Sequence, residues 1–202
     1  MKVLLLGGFL GSGKTSILLR LAQYLVSTTE GGTKVMIIEN EIGEVGVDDK
    51  ILRSQGLQVR ELFAGCACCS GGSDLIDDIS YIRKTYDPEW LVIESTGVAY
   101  PMQIKQNVEM YFGFKVGVLC LADAQRWRRL RRAMSALIDC QLECADWILL
   151  NKADLADDEQ LAAIETDIRA VNAGARIWRT VANKPMDDTI WSEIAGGGVW
   201  ND

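Results

Sequence analysis

The sequence predicts an α/β fold: a mostly parallel sheet with helices on both faces, forming one domain over residues 1–195 with a flexible tail at 196–202. Two observations carry that prediction. Short apolar runs alternate with amphipathic stretches along the chain, the order of a sheet whose parallel strands are joined by helical crossovers. Several runs are continuously apolar rather than alternating, as strands covered on both faces must be. The strands are expected at 3–6, 34–38, 57–62, 90–93, 115–121, 147–150 and 176–178. The helices are expected at 14–26, 73–85, 102–111, 125–144 and 157–171. No repeat, low-complexity segment or linker divides the chain, and the tail Gly196-Gly-Gly-Val-Trp-Asn-Asp has the composition of a frayed end.

Composition narrows the function. The chain has 202 residues, 49% hydrophobic and 24% charged, as expected for a domain with a substantial core. Its formal net charge of −7 argues against nonspecific binding to nucleic acid or to anionic membranes. The apolar run after Lys2 is broken by Gly7 and Gly8 and lacks a small-residue cleavage site, so it reads as a buried strand rather than a signal peptide. No segment reaches the ~18–20 apolar residues of a membrane span, and a cytoplasmic protein is expected. Of six cysteines, Cys120, Cys140 and Cys144 lie scattered in apolar surroundings and read as core residues, while Cys66, Cys68 and Cys69 crowd together. That spacing is not the stapled framework of a short secreted domain. The basic run Arg126-Trp-Arg-Arg-Leu-Arg-Arg reads first as a solvated helix face with Trp127 and Leu130 turned inward. The alternative is contact with a nucleotide phosphate or an acidic partner surface.

Three motifs point to a nucleotide. Gly8-Phe-Leu-Gly-Ser-Gly-Lys-Thr matches G-x-x-x-x-G-K-[ST] between an apolar strand and a helix opening at Lys14, the context that defines a P-loop. Glycines at Gly8, Gly11 and Gly13, with Ser12 and Ser16 beside them, let backbone N–H groups wrap phosphates at a helix N-terminus. Lys14 supplies a full charge to the β- and γ-phosphates, and the Thr15 hydroxyl is a Mg²⁺ ligand. Trp90-Leu-Val-Ile-Glu-Ser-Thr-Gly ends an apolar strand in Glu94, the acid expected to organise Mg²⁺ and its waters, with the Gly97 N–H available to a γ-phosphate. Trp147-Ile-Leu-Leu-Asn-Lys-Ala-Asp places Asn151, Lys152 and Asp154 in an N-K-x-D pattern. The Asp154 carboxylate can accept from guanine N1–H and N2–H₂, whereas adenine would leave it unpaired at about 1–3 kcal/mol, so GTP is favoured over ATP.

Phe63-Ala-Gly-Cys-Ala-Cys-Cys-Ser-Gly-Gly follows a strand, and Ile38-Glu-Asn-Glu-Ile-Gly-Glu-Val-Gly-Val-Asp-Asp upstream is dense in carboxylates. Thiolates and carboxylates together suit Zn²⁺ or a similar ion, and with no His in the chain such a site is built from sulfur and oxygen. Composition weighs this equally against three small residues packed in a tight loop.

These segments, in this order, resemble the CobW-like GTPases, which stand close to the UreG and HypB metallochaperones. The resemblance covers roughly residues 1–180. It implies a SIMIBI-class P-loop GTPase that couples GTP/GDP state to delivery of a metal or metal cofactor to a client metalloenzyme. Carried over by position, the metal ligands are Cys66, Cys68 and Cys69, with Glu39 and Glu44 as supplements, and the metal is Zn²⁺ or another transition metal. CobW-like proteins usually continue into a C-terminal domain and many carry a His-rich stretch; these 202 residues contain no His and are expected to form the nucleotide-binding domain alone, and Ser16 stands where a second Thr is usual. The expected form is single-domain, with a GTP-dependent homodimer as a further implication. The leading reading is a slow Mg²⁺-dependent GTPase. A GTP- and metal-responsive switch that docks on a partner with negligible hydrolysis is the alternative, and a P-loop small-molecule kinase is disfavoured by Asp154.

Overall fold

The computed structural model describes residues 1–28, 35–39, 58–61 and 73–200. Among them, seven strands form one sheet: β1 (Lys2–Gly8), β2 (Val35–Glu39), β3 (Gln58–Glu61), β4 (Trp90–Glu94), β5 (Val116–Asp123), β6 (Trp147–Asn151) and β7 (Arg176–Arg179). The helices between and after them are α1 (Lys14–Ser27), α2 (Ser73–Tyr86), α3 (Pro101–Phe112), α4 (Trp127–Leu142), α5 (Asp158–Val171) and α6 (Asp188–Gly196). The strand order is β3-β2-β4-β1-β5-β6-β7, and every pairing is parallel. The predicted sheet and the five predicted helices are therefore present, with ends shifted by a residue or two.

The continuously apolar strands are the central ones. β4, β5 and β6 are buried at every position, and β1 at every position after Lys2. In a strand successive side chains point to opposite faces, so β1 divides its residues between two cores. Val3 and Leu5 join Ile79 and Ile82 of α2, Ile104 and Val108 of α3, Ile138 of α4 and Ile164 of α5. Leu4 and Leu6 join Ile17, Leu18 and Leu21 of α1 and Ile190, Trp191 and Ile194 of α6. The crossover from β1 runs to β2 with α1 on one face; the crossover from β4 passes over β1 to β5 with α3 on the other. Departures in opposite directions open a crevice at the carboxyl end of β1, where ligands of such sheets bind.

Cys120 lies in the first core, and burial pushes its thiol up to about 12. Cys144 packs against the same core with its thiol raised to about 11, again chiefly by burial. Both are poor nucleophiles and poor ligands at neutral pH, as expected of packing residues.

Two features depart from the sequence reading. Helix α6 was not anticipated, although Asp187 caps it by accepting from the Thr189 N–H at 2.9 Å. The expected frayed tail is seated through a 3₁₀ turn at Gly198–Trp200. The Trp200 ring lies 5.2 Å from that of Trp90 and 6.0 Å from that of Trp147, and its Nε1–H donates to the Ile194 carbonyl at 2.7 Å. It occupies space that a Cβ at Gly117 would invade, at 2.7 Å. Lys2 Nζ sits 5.0 Å and 5.6 Å from the Trp90 and Trp200 rings and donates to the Ala195 carbonyl. This cluster closes the amino-end edge of the sheet, opposite the crevice.

Trp200→Ala is therefore expected to destabilise the fold by about 2–3 kcal/mol, somewhat below the cost of a fully buried Trp. Urea unfolding followed by far-UV circular dichroism checks this; an unchanged midpoint would mean that the tail contributes no packing.

Candidate functional site

The crevice is built at the turn from β1 into α1. Gly13 carries φ 102°, and a Cβ there would collide with the Asn151 side-chain amide, so only glycine fits. Helix α1 starts at Lys14 with no side-chain cap and no acidic residue in its first turn. Its own first turn therefore supplies no anion to its N–H groups or to the positive end of its dipole. Lys14 is buried and donates from Nζ to the Phe9 carbonyl at 3.4 Å, a long bond across the loop. Ser12 is fully buried, and its Oγ has no hydrogen-bond partner among the described residues. Ser16 is exposed on the first turn of α1.

Next to this loop stands the end of β4. Glu94 pairs in register with Leu6 of β1 and with Glu39 of β2, so three strand ends meet here. The Thr15 hydroxyl donates to Glu94 Oε1 at 3.5 Å. An alcohol and a carboxylate this close are the hard oxygen donors that Mg²⁺ accepts, and their stretched bond leaves room for an ion between them to replace it. The segment after Glu94 is held by Ser95, whose N–H and Oγ both donate to the Leu6 carbonyl at 3.0 Å. Gly97 rests on the P-loop, since a Cβ would come within 2.5 Å of the Leu10 nitrogen. From α4, Gln141 Nε2 donates to the Gly97 carbonyl at 3.0 Å. A cleft of about 380 Å³ lies between these parts, lined by Lys14, Glu94, Thr96 and Gly97 and by Phe9, Leu10, Val98, Arg126, Leu130 and Met134.

The opposite end of the crevice is organised by Asn151 at the end of β6. Its buried amide donates to the Ser12 carbonyl at 2.7 Å and accepts from the Ala182 N–H at 2.8 Å. The P-loop, the N-K-x-D segment and the loop after β7 are thereby joined. Lys152 is held at φ 60°, a left-handed conformation uncommon for a residue with a Cβ, and turns its amine to Asp123 Oδ2 at 2.7 Å. Asp154 is partly exposed and lies 3.6 Å from Lys184 Nζ.

Lys14, Glu94 and Gly97 line one cleft, Thr15 bonds Glu94, and Asn151 bonds the P-loop at Ser12, while Asp154 stands three residues past Asn151 beside Lys184. Cys66, Cys68, Cys69 and Glu44 lie outside the described residues; the Glu39 backbone ends β2, and its side chain is likewise outside them. Among the described residues no group of three or more His, Cys, Asp or Glu side chains is placed to hold a metal. No helix among them is long and apolar enough to cross a membrane. Sequence reasoning missed Asp123, which ends the buried strand β5 in a carboxylate as Glu94 ends β4. It also missed the loop at 180–184, whose Ala182 and Lys184 reach Asn151 and Asp154. Asp123 has no exposed side-chain surface and binds Arg126 Nε and Lys152 Nζ, each at 2.7 Å. Burial by itself would push the Asp123 carboxyl up, but the hydrogen bonds from Lys152 and Arg126 outweigh it and hold the group below its ordinary 3.8.

The family described as "CobW/HypB/UreG, nucleotide-binding domain" matches residues 2–179. The zinc chaperone YjiA of Escherichia coli K12 is 32% identical over 198 residues, covering 92% of this chain and 58% of YjiA. The zinc-regulated GTPase metalloprotein activator 1 of Dictyostelium discoideum is 26% identical over 220 residues, covering 88% of this chain and 45% of that protein. The crystal structure of the Zn(II)-bound YjiA GTPase from E. coli superposes with a TM-score of 0.67 at 27% identity, covering 98% of this chain and 62% of that one. The chain spans about half the length of the curated relatives it matches.

The low-lying Asp123 gives a pH dependence with a definite sign. A carboxyl whose folded value is depressed adds stability above its unfolded value and loses it as pH falls through the folded one. Unfolding free energy is expected to drop as pH is lowered below about 4, where free carboxyls begin to protonate. In Asp123→Asn that drop should be smaller; denaturant titrations at several acidic pH values check it, and equal slopes in both proteins would remove Asp123 as the source.

Proposed function

Because this chain belongs to the CobW/HypB/UreG family of nucleotide-binding domains, we propose that it binds GTP with Mg²⁺, hydrolyses it slowly, and couples nucleotide state to handling of a metal ion for a client metalloenzyme. The observation that supports the nucleotide half is the meeting of an uncapped helix N-terminus with Lys14 and the Thr15–Glu94 pair, to which Asn151 ties the segment that carries Asp154. The metal half rests on the zinc chaperones among its relatives and on the Cys66, Cys68 and Cys69 cluster. Zn²⁺ is then the cargo, and a client protein, reached from the cytoplasm with or without a GTP-dependent homodimer, is its destination.

In this mechanism the backbone N–H groups of Gly11 to Thr15 bind the phosphates, and Lys14 neutralises the β- and γ-oxygens. Thr15 and Glu94 would hold Mg²⁺, which supplies Lewis-acid charge to the phosphates when bound. Gly97, braced from behind by Gln141, offers its N–H to the γ-phosphate and so lets the loop after β4 respond to hydrolysis. At the base, Asp154 accepts from guanine N1–H and N2–H₂. Lys184 keeps that carboxylate paired when no base is present and must yield part of it when guanine enters.

Lys14→Ala should abolish nucleotide binding with an unchanged circular-dichroism spectrum; near-normal GTP affinity in that variant would remove the phosphate assignment. Asp154→Asn should weaken GTP at least tenfold, about 1.4 kcal/mol, and improve binding of xanthosine nucleotides. Unchanged base preference would move guanine recognition elsewhere and restore ATP as a candidate. If nucleotide state and metal are coupled, each changes the other's affinity by the same factor, with about 1–3 kcal/mol expected. A Zn²⁺ titration with GDP and with a nonhydrolysable GTP analogue, repeated on Cys68→Ala, measures it. Equal metal affinity in both nucleotide states would leave a GTPase without metal coupling, and undiminished binding in Cys68→Ala would make the cluster a structural loop.

A further inference from the structure

The basic run that opens α4 divides its arginines. Arg128, Arg129 and Arg132 are exposed, and Arg131 pairs with Asp139 further along the helix. Arg126, at the N-cap of α4, turns back onto the P-loop instead. Its Nε donates to Asp123 Oδ2 at 2.7 Å, its backbone N–H to Asp123 Oδ1 at 3.0 Å, and its Nη2 to the Leu10 carbonyl at 2.6 Å. The guanidinium lies against Gly11: a Cβ built there would stand 3.3 Å from Nη2 and 3.5 Å from Nη1. It also lines the cleft that contains Lys14, Glu94, Thr96 and Gly97.

Charge and donor count give this placement a use. Asp123 carries one negative charge and binds both Lys152 and Arg126, so the three groups together keep a net charge of +1 at the outer edge of the P-loop. A guanidinium has five N–H donors in a rigid plane. Two of Arg126's take the bonds to Asp123 and Leu10, and three take none among the described residues. The bonds already made fix the plane, so little freedom is left to lose when the remaining edge meets an anion.

We propose that Arg126 is an arginine finger supplied by the chain to its own active site, acting on the leaving group of GTP hydrolysis. The inference rests on the GTPase reading given above. Water oxygen bonds to the γ-phosphorus as the bond from that phosphorus to the β,γ-bridging oxygen breaks, and the bonding pair stays on the bridging oxygen. GTP⁴⁻ and H₂O become GDP³⁻ and H₂PO₄⁻, with both water protons on the phosphate. Charge grows on the bridging oxygen beside Gly11, and Arg126 donates N–H to it there. GDP itself gains less from the contact, because the same oxygen in the product is solvated and its charge is spread over the β-phosphate. Arg126 therefore raises the rate more than it raises ground-state affinity.

The test compares the whole chain with Arg126→Ala, Arg126→Gln and Arg126→Lys under single-turnover conditions, with the affinities of GDP and of GDP with aluminium fluoride measured in parallel. Loss of one preorganised donor to a developing charge lowers rates roughly 100- to 1,000-fold, which is the fall expected in Arg126→Ala and Arg126→Gln. GDP affinity should stay within about threefold, since this contact forms chiefly in the transition state. Affinity for GDP with aluminium fluoride should fall in step with the rate, added guanidinium ion should restore part of the rate to Arg126→Ala, and Arg126→Lys should recover little. If GDP and its aluminium fluoride complex weaken equally, Arg126 merely braces the loop and the proposal is overturned. Wild-type hydrolysis in Arg126→Gln or Arg126→Lys overturns it even where Arg126→Ala fails to fold. No hydrolysis by the unaltered chain would instead sink the GTPase reading, and this proposal with it.

Discussion

The site hangs on one buried amide. Asn151 donates to the Ser12 carbonyl, 139 positions away in sequence, and accepts from the Ala182 N–H, 31 positions away. A side-chain amide has both functions on one rigid group, so it can fix two backbones at once, whereas a carboxylate would only accept and an amine only donate. The approach is so close that the P-loop must carry glycine at Gly13, in a left-handed conformation that costs other residues about 1–2 kcal/mol. The P-loop, the N-K-x-D segment and the loop after β7 are therefore not three independent features. Moving any one of them leaves a buried donor or acceptor unpaired, at about 1–3 kcal/mol.

A second tie, through Asp123, fastens the same loop from its outer side. The carboxylate is removed from water yet stays ionised because Lys152 and Arg126 both donate to it, and Arg126 continues to the Leu10 carbonyl. Helix α4 consequently touches the crevice twice. Its first residues hold the P-loop through Arg126, and its last turn holds the loop after β4 through Gln141 and the Gly97 carbonyl. Between those grips the helix breaks its regular geometry at Met134, with φ −143° and ψ 41°. The two loops that border the cleft thus share one kinked element among their supports.

The features legible in the sequence were those encoded locally. A continuous apolar run ending in Gly8, Glu94 or Asn151 states both a buried strand and the residue at its carboxyl end, and parallel pairing brings those ends together. Trp127 and Leu130 were read correctly as inward-facing, because helical spacing alone decides that. Asp123 escaped notice since its role depends on partners 3 and 29 positions away, one of them just past the end of another strand. Trp200 escaped for the same reason: among glycines and polar residues it looked like a loose end. Its partners Trp90, Trp147 and Gly117 lie on three different strands. The thiolate cluster was read from composition and resemblance, and Cys66, Cys68 and Cys69 stand outside the described residues.

Helix termini show how far the local rules bend at this crevice. Away from it, α5 and α6 obey them, with Asp157 and Asp187 as N-caps and acids in the first turn. At it, α1 has neither, and the carboxylate near its positive end, Glu94, comes from the end of β4. Helix α4 goes further and opens on Arg128 and Arg129, cations at the end where each costs about 0.3–1 kcal/mol. Asp123 offsets part of that by accepting from the Arg126 N–H, which gives α4 an anion borrowed from the end of β5. Lys14, the Arg126 guanidinium and the positive end of α1 thus gather at one cleft, answered in part by Glu94 and Asp123. Positive charge gathered in this way repels itself while the cleft is empty and would favour an anion that entered it.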